Sequence, residues 1–260
     1  MIIFTHRGLE PSNPDFYPES SYEAFKSHLE RGFGIEFDPF FTEQGVFVSH
    51  NPDLKIVGGR IATLDEVLEL IKNSKAELNA LHLKGKFQDV SYLDILISNL
   101  KNHPQAISKI IIFDVKPEAA RYLKSKMPNI QLAPSVAHSF DIKRYNSLVK
   151  GTLLSVEEAI KYKKDGLYDW VWLDEWDRAD KNGKEKMLYT AEVFDLLKQA
   201  GYKIALVTPE MHNTASPGLL GGKNHEDSND KEMLFKRIKE IISLKPDAIC
   251  TDNPEEVKNL

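Results

Sequence analysis

Short apolar runs alternate with longer amphipathic runs along the whole chain. The apolar runs have the length of buried strands, and the runs between them repeat hydrophobic residues with the period of a helix. Eight of the apolar runs are candidate strands: Ile2–Thr5, Gly34–Phe40, Leu78–Lys84, Lys109–Val115, Ile130–Val136, Trp170–Asp174, Lys203–Thr208 and Asp247–Thr251. Eight strand–helix units in a chain of 260 residues predict a (β/α)8 barrel of the TIM type, in the α/β class.

The competing architecture is an open, doubly wound sheet. Such sheets commonly carry a G-x-G-x-x-G turn after the first strand, and this chain has none there. Two helix starts are marked by SSYE at Ser20–Glu23 and TLDE at Thr63–Glu66, both of which match a capping box. Because no linker, repeat or shift in composition divides the chain, we predict a single barrel domain over residues 1–260, without a sizeable insertion.

The composition narrows the class of partner. A net charge of -5 provides no basic field for nucleic acid or for an anionic membrane surface. No apolar run reaches the roughly 18 residues needed to cross a bilayer, and the only cysteine, Cys250, cannot form an internal disulfide. The chain opens on a strand-like run rather than a leader-type segment, so we expect a cytoplasmic protein with no integral membrane segment.

In a (β/α)8 barrel the functional residues lie at or just beyond the carboxyl ends of the strands. In this chain those positions hold polar groups of both signs: His6, Arg7, Glu36, Asp38, His50, His82, Lys84, Asp114, Lys116, His138, Asp174, Glu175, Glu210, His212 and Asp252. Three other histidines, His28, His103 and His225, fall on predicted helix surfaces or loops and receive no role.

Glu36 and Asp38 are two residues apart on the second strand, so their side chains point to the same face. Two carboxylates held this close repel one another unless a proton or cation lies between them, which predicts a Mg²⁺ or Ca²⁺ site. The alternative is a pair of ordinary acids at a solvent-facing strand end. His6 and His50 are candidates for general acid and base, because an imidazole titrates near neutrality.

Two further side chains are candidates for contact with a substrate. Arg7 offers a planar fork for a phosphate, or an ion pair with one of the acids at the strand ends. Trp172 on the sixth strand either stacks on a substrate near the mouth or packs beneath the helices, as aromatic residues of barrel strands more often do. The polar segment from His212 to Asp230 is either a lid over the mouth or a surface loop.

Five motifs occur in a fixed order along the chain: THRG, YPESSYEAF, GIEFDPFFTEQGVFVSHNPDL, IATLDEVLELI and KPDAICTDNPEEV. Together they resemble the signature of the glycerophosphodiester phosphodiesterase family, densely over roughly the first 70 residues and the last 15. The resemblance implies a barrel that uses a divalent cation, Mg²⁺ or Ca²⁺, to hydrolyse glycerophosphodiesters to an alcohol and glycerol phosphate. By position it implies that His6 and His50 are the acid–base pair, that Arg7 binds phosphate, and that Glu36 and Asp38 bind the metal.

The third strand departs from that family at one position. Where the family has E-x-K, this chain has His82 and Lys84, so the lysine that faces the phosphate is kept and the third carboxylate is not. A nitrogen ligand in place of a hard oxygen weakens Mg²⁺ and Ca²⁺ binding and favours Mn²⁺ or Zn²⁺. Three explanations remain: His82 is a metal ligand, an acid such as Asp114 or Glu210 replaces the lost one, or the metal is absent. We favour a retained metal, because Glu36 and Asp38 otherwise face each other uncompensated.

Two smaller departures affect the substrate and the second histidine. Asn51 stands where the family usually has an aspartate after His50, and the seventh strand reads IALVTPEMH where relatives have V-x-x-W-T-V-N. We therefore predict a divergent metal-dependent glycerophosphodiesterase with a small-molecule substrate. The alternatives are a phosphodiesterase of the same fold that acts on a lysophospholipid or a glycerol-phosphate-decorated saccharide, and a barrel that binds a phosphorylated ligand without catalysis. The attacking nucleophile is either water or a hydroxyl of the substrate, and the sequence carries no signal for the oligomeric state.

Overall fold

The structure, a computed structural model, describes residues 1–13, 15–51, 58–175, 178, 184–210 and 230–260. Its strands are β1 Ile2–Thr5, β2 Gly34–Phe37, β3 Pro39–Thr42, β4 Gly45–Val48, β5 Ala62–Thr63, β6 Asn79–His82, β7 Ile110–Phe113, β8 Gln131–Leu132, β9 Ser135–Val136, β10 Leu153–Leu154, β11 Trp170–Leu173, β12 Lys203–Val207 and β13 Ala248–Thr251. Its helices are α1 Tyr22–Glu30, α2 Leu64–Asn73, α3 Val90–Asn102, α4 Pro104–Ile107, α5 Pro117–Lys126, α6 Ser139–Tyr145, α7 Val156–Lys164, α8 Ala191–Gln199, α9 Lys231–Ser243 and α10 Pro254–Lys258. Two 3₁₀ turns, His6–Gly8 and Gly85–Phe87, follow β1 and β6.

The parallel strands close into a barrel. Their order in the sheet is β10-β9-β11-β12-β13-β1-β2-β6-β7-β8. β8 and β9 belong to one extended segment that Ala133 and Pro134 interrupt, since proline has no N–H to donate to a ladder. This segment bonds to both neighbours, because Ala133 N donates to Ile112 O at 2.9 Å and Trp172 N donates to Pro134 O at 3.0 Å. The predicted (β/α)8 barrel is confirmed, with the predicted strand Ile130–Val136 as the element that closes the ring.

Alternation along the strands divides the core into two layers. On β11, Val171 and Leu173 pack in the cluster that lies between the strands and the helices. Trp170 and Trp172 point the other way, into a second cluster inside the barrel that also contains Phe4 and Phe113. The barrel interior is therefore filled by side chains below its mouth, as expected for eight parallel strands.

The loop after the second strand contains an element that the sequence pattern does not predict. The expected strand Gly34–Phe40 ends at Phe37, and β3, β4 and β5 then form a separate antiparallel sheet. β3 pairs with β4 so that Phe40 lies opposite Phe47, with their ring centroids 5.7 Å apart. Because β4 runs back from the turn, it returns the chain to Asp38, and Ser49 N donates to Asp38 O at 2.9 Å. This small sheet brings His50 to the barrel mouth.

The helix caps follow the sequence signals with one correction. At α2 the capping box of Thr63 and Glu66 is present in full. At α1 the capping residue is Ser21, which accepts from Ala24 N, so the capping box expected from Ser20 and Glu23 does not form, and Glu23 Oε2 accepts from Arg60 N instead. None of the helices in the described part of the chain combines the length and apolar character needed to span a bilayer.

Candidate active site

The predicted site residues, apart from Trp172, meet in one group at the carboxyl end of the barrel. His6 and Arg7 follow β1, Glu36 lies near the end of β2, and His82 is the last residue of β6. Asp38, His50 and Lys84 lie in the loops just beyond. Hydrogen bonds and ion pairs link these side chains in two subgroups, one around Asp38 and the other around Asp252.

Glu36, Asp38 and His82 are the metal-ligand candidates, and each offers a ligand atom within 4.8 Å of the others. Burial and the nearby Asp38 carboxylate raise the pKa of Glu36 to about 8. For Asp38, burial opposes ionisation, but Lys84, His50 and His82 outweigh it and hold the pKa well below its usual range. Two buried carboxyl groups and an imidazole at this spacing fit a divalent cation, which would remove the repulsion between the two acids.

His82 lies between two carboxylates. Its Nδ1 is 2.8 Å from Asp38 Oδ1 and its Nε2 is 3.4 Å from Asp114 Oδ2, while its ring stacks on Phe113 with the centroids 4.7 Å apart. Burial lowers the pKa of His82, but Asp114 and Asp38 together raise it to about 10. To bind a metal, His82 must therefore exchange a proton for the cation. Asp114 adopts a left-handed backbone with φ of 64°, a strained conformation that is more common at functional sites than elsewhere.

His50 and Lys84 share the same carboxylate. His50 Nδ1 lies 3.1 Å from Asp38 Oδ2, and Lys84 Nζ donates to His50 O at 3.0 Å and lies 3.4 Å from Asp38 Oδ1. Burial lowers the pKa of His50 although Asp38 raises it, so the ring is neutral near pH 7. Because Asp38 is ionised, Nδ1 carries the proton and Nε2 keeps a lone pair, as a general base requires. Asp38, rather than residue 51, supplies the carboxylate that orients His50.

His6 has a carboxylate partner of its own. His6 Nδ1 lies 2.9 Å from Asp252 Oδ1, and Asp252 is 1% exposed. Burial and the charge of Arg7 lower the pKa of His6 well below its ordinary value, so this ring is also neutral near pH 7. The two residues are 246 positions apart in the chain and meet because β1 pairs with β13. Sequence reasoning listed Asp252 at a strand end without giving it a role.

Arg7 is held at the mouth by its backbone. Its φ of 54° is left-handed, and its N–H donates to Glu36 Oε2 at 3.1 Å. The guanidinium has Glu19 as an ion-pair partner, with Nη1 3.9 Å from Oε2, near the outer limit for such a pair. This weak partner leaves the planar donor fork available for an anion.

The expected substrate contact of Trp172 is not available in this arrangement. Trp172 is 3% exposed and stacks on Phe113 with the ring centroids 3.8 Å apart, while Phe4 lies on it at 6.3 Å. The side chain points into the barrel, so the alternative of packing beneath the helices is wrong as well. Because Phe113 also carries the ring of His82, Trp172 forms part of the floor below the metal-ligand candidates.

Three other histidines are not part of the group of site residues that the structure brings together. His138 caps α6, where its Nδ1 accepts a hydrogen bond from Phe140 N at 3.2 Å. His212 and nearly all of the proposed lid, residues 212–229, lie outside the described residues. His28, expected on a helix surface, is fully buried, and its Nε2 lies 3.2 Å from Gly8 O.

Sequence comparison finds no matching family model and no matching curated protein. Solved structures do match this fold over nearly the whole chain. A glycerophosphoryl diester phosphodiesterase from Parabacteroides distasonis is 19% identical with a TM-score of 0.64, over 99% of this chain and 85% of that chain. A glycerophosphodiester phosphodiesterase from the same organism is 15% identical with a TM-score of 0.63, over 99% of this chain and 95% of that chain.

A third structure was solved with a bound product. It is a phosphodiesterase from Oleispira antarctica in complex with sn-glycerol-3-phosphate, 15% identical with a TM-score of 0.63, over 100% of this chain and 96% of that chain. At these identities the likeness establishes a shared barrel fold. The chemistry of this chain has to be argued from its own residues.

Proposed function

We propose that this protein is a metal-assisted phosphodiesterase that hydrolyses a glycerophosphodiester to an alcohol and glycerol phosphate. The observation that carries the proposal is the pair of neutral histidines at one barrel mouth, each with Nδ1 on its own buried carboxylate. His6 pairs with Asp252 and His50 pairs with Asp38, next to the cationic side chains of Arg7 and Lys84. Two oriented imidazoles beside two cations are what the cleavage of a phosphodiester needs.

Arg7 and Lys84 neutralise the negative charge of the phosphoryl group. The Arg7 fork binds two oxygens of a phosphate at once, and Lys84 adds a point charge held in place by the carbonyl of His50. Negative charge grows on the phosphoryl oxygens as the new bond forms. Fixed cations in a partly buried site stabilise that charge more than water does, and one such group is worth about 100- to 1000-fold in rate.

Proton transfer is assigned to His6 and His50. One ring takes the proton of the nucleophile, which is water or the neighbouring hydroxyl of the glycerol moiety, and its carboxylate partner stabilises the imidazolium that results. The other ring delivers a proton to the leaving alkoxide. Burial keeps both rings neutral in the free protein, and the negative charge of a bound phosphodiester raises the pKa of a neighbouring histidine toward the range needed for an acid.

Glu36, Asp38 and His82 are the residues that would hold a divalent cation in this protein. When bound there, the cation would polarise a phosphoryl oxygen as a Lewis acid. The nitrogen ligand of His82 favours Mn²⁺ or Zn²⁺ over Mg²⁺ or Ca²⁺.

The test is the release of glycerol phosphate from a panel of glycerophosphodiesters by protein stripped with EDTA. Mg²⁺, Ca²⁺, Mn²⁺ and Zn²⁺ are added back one at a time, and lysophospholipid and glycerol-phosphate-decorated saccharide are included as further substrates. We expect metal-restored turnover that is highest with Mn²⁺ or Zn²⁺, and a loss of about 100- to 10000-fold in His6→Ala and in His50→Ala with the fold intact. Full activity in either variant would remove that histidine from the mechanism, and no turnover with any metal or substrate would refute the proposed function.

A further inference from the structure

A second pair of buried acids, Glu210 and Asp252, lies next to His6, and the proposed reaction uses only Asp252. Glu210 follows β12 and Asp252 follows β13, and these two strands are neighbours in the barrel. Glu210 is 8% exposed and Asp252 is 1% exposed. Ligand-type oxygens of the two carboxyl groups lie within 4.8 Å of one another. Two buried carboxylates in contact are unfavourable unless a proton or cation lies between them.

The surroundings of Glu210 supply donors to one of its oxygens only. Oε1 accepts from Thr208 Oγ1 at 2.6 Å and from Asp252 N at 3.1 Å. Oε2 is sealed from solvent and accepts no hydrogen bond from any group in the described residues. As a carboxylate, Glu210 would leave a charged oxygen buried and unsatisfied. As a carboxylic acid, Oε2 carries a proton and becomes a donor toward Asp252.

A metal ion is the alternative to this proton. Ligand-type atoms of His6, Glu210 and Asp252 lie within 4.8 Å of one another, which is a spacing that admits a cation. Unlike the group of Glu36, Asp38 and His82, this group contains two carboxylate oxygens, Glu210 Oε2 and Asp252 Oδ2, that are sealed from solvent. Mg²⁺ and Ca²⁺ need six or more oxygen ligands, usually including water, and these carboxylate oxygens are closed to water. A proton needs a single hydrogen bond, so the geometry favours it.

We propose that Glu210 is a positioning residue for the proposed reaction: a buried carboxylic acid that donates to Asp252 and so keeps the Asp252 carboxylate aimed at His6. In this chain of hydrogen bonds, Thr208 Oγ1 donates to Glu210 Oε1, the Glu210 acid donates to Asp252, and His6 Nδ1 donates to Asp252 Oδ1. Burial and the charge of Asp252 raise the pKa of Glu210 well above its usual range, in agreement with the geometry. The chain fixes the tautomer of His6 with its proton on Nδ1, toward Asp252 Oδ1.

The inference rests on the proposed function, and three substitutions at this chain test it by activity. Glu210→Ala removes the donor, and we expect kcat to fall about 10- to 100-fold with little change in KM, as for other residues that orient a catalytic group from behind. Glu210→Gln keeps one donor and one acceptor at the same length and cannot ionise, so it should recover most of the lost kcat. Asp252→Asn changes the partner of His6 itself and should lower kcat at least as much as Glu210→Ala does.

A readout that does not depend on activity separates this inference from the proposed function. Infrared spectra at neutral pH distinguish the carbonyl stretch of a carboxylic acid from the bands of a carboxylate. The difference between wild type and Glu210→Gln should be the loss of an acid band. Glu175→Gln is the matched control, because Glu175 is another buried acid that accepts from Arg237 Nη2 at 2.9 Å, and its loss should remove carboxylate bands only.

The outcomes are distinct. A lost carboxylate band in Glu210→Gln would overturn the inference, as would a kcat as low as that of Glu210→Ala. A stoichiometry that falls by one metal ion per chain in Glu210→Gln would assign the pair to a cation instead. If wild type turns over no phosphodiester, the proposed function fails, while the infrared difference still decides whether Glu210 is an acid.

Discussion

The substitution His82→Glu tests the departure at the third strand most directly. His82 lies against two carboxylates, with Nδ1 2.8 Å from Asp38 Oδ1 and Nε2 3.4 Å from Asp114 Oδ2. A glutamate at this position removes both hydrogen bonds and adds a negative charge beside the ionised Asp38 and the Glu36 carboxyl group. In protein without metal the variant should therefore be less stable, and a divalent cation with a preference for oxygen ligands should restore it.

The size of the effect follows from the burial of the partners. Removing one partner from a buried ion pair costs about 3–5 kcal/mol, and the side chain of His82 is 25% exposed, so we take the lower end, about 3 kcal/mol. For a domain of this size that loss lowers the melting temperature by roughly 6–12 °C. A cation at 100 times its dissociation constant returns about 2.7 kcal/mol, nearly the whole loss.

The assay is thermal unfolding of EDTA-stripped wild type, His82→Glu and His82→Gln, alone and with Ca²⁺, Mg²⁺, Mn²⁺ or Zn²⁺. Ca²⁺ and Mg²⁺ should stabilise His82→Glu more than wild type, whereas Mn²⁺ and Zn²⁺ should stabilise wild type more. His82→Gln is the control, because it removes the imidazole without adding a charge and should respond least to Ca²⁺. The reasoning would be refuted by a His82→Glu protein that is as stable as wild type without metal, or that gains nothing from Ca²⁺.

Three further predictions concern single residues. Lys84→Met should lower kcat/KM about 100- to 1000-fold in steady-state assays, because Nζ is one of two cations assigned to the phosphate; a change of only a few fold would exclude that role. Trp172→Phe should destabilise the barrel by about 1–3 kcal/mol in urea titrations with KM nearly unchanged, and a raised KM at unchanged stability would restore Trp172 to substrate binding. Burial, with help from Arg31, lowers the pKa of His28 from 6.5 to about 3, so the unfolded chain takes up a proton in this range that the folded chain does not. Stability should therefore fall as the pH drops from 6.5 toward 3, by about 2 kcal/mol at pH 4.5, and His28→Gln should flatten that slope in unfolding titrations at several pH values.

The barrel could be predicted from the sequence because its signal is repeated. Each strand is an apolar run of the length expected for a buried strand. Glu36 and Asp38 are two residues apart, so their side chains are predicted to point to the same face. The same alternation explains the error at Trp172. Period two separates Trp170 and Trp172 from Val171 and Leu173, but it does not say which set faces the helices and which fills the barrel.

Contacts between distant segments could not be predicted, because they depend on closure of the ring. His6 meets Asp252 only because the first and last strands pair. His50 reaches Asp38 through the small antiparallel sheet, whose strands are too short for a clear pattern. His28 was predicted to lie on a helix surface, but it is buried with its Nε2 3.2 Å from Gly8 O. The sequence around His28 does not reveal a partner that lies 20 residues away.

His82 and Glu210 both depart from the resembled family pattern, and each lies next to a different carboxylate that orients one of the two proposed catalytic histidines. His82 adds a basic group next to Asp38, the partner of His50, whereas Glu210 lies next to Asp252, the partner of His6. An ionised Glu210 would add a negative charge there, but a buried Glu210 in its acid form has one donor and one acceptor. A side-chain amide also has one donor and one acceptor group. The resembled family pattern has an asparagine, which carries such an amide, where this chain has Glu210. Under this proposal the substitution changes the residue while the Asp252–His6 pair keeps its charge, so the divergence of the site is concentrated where the metal would bind.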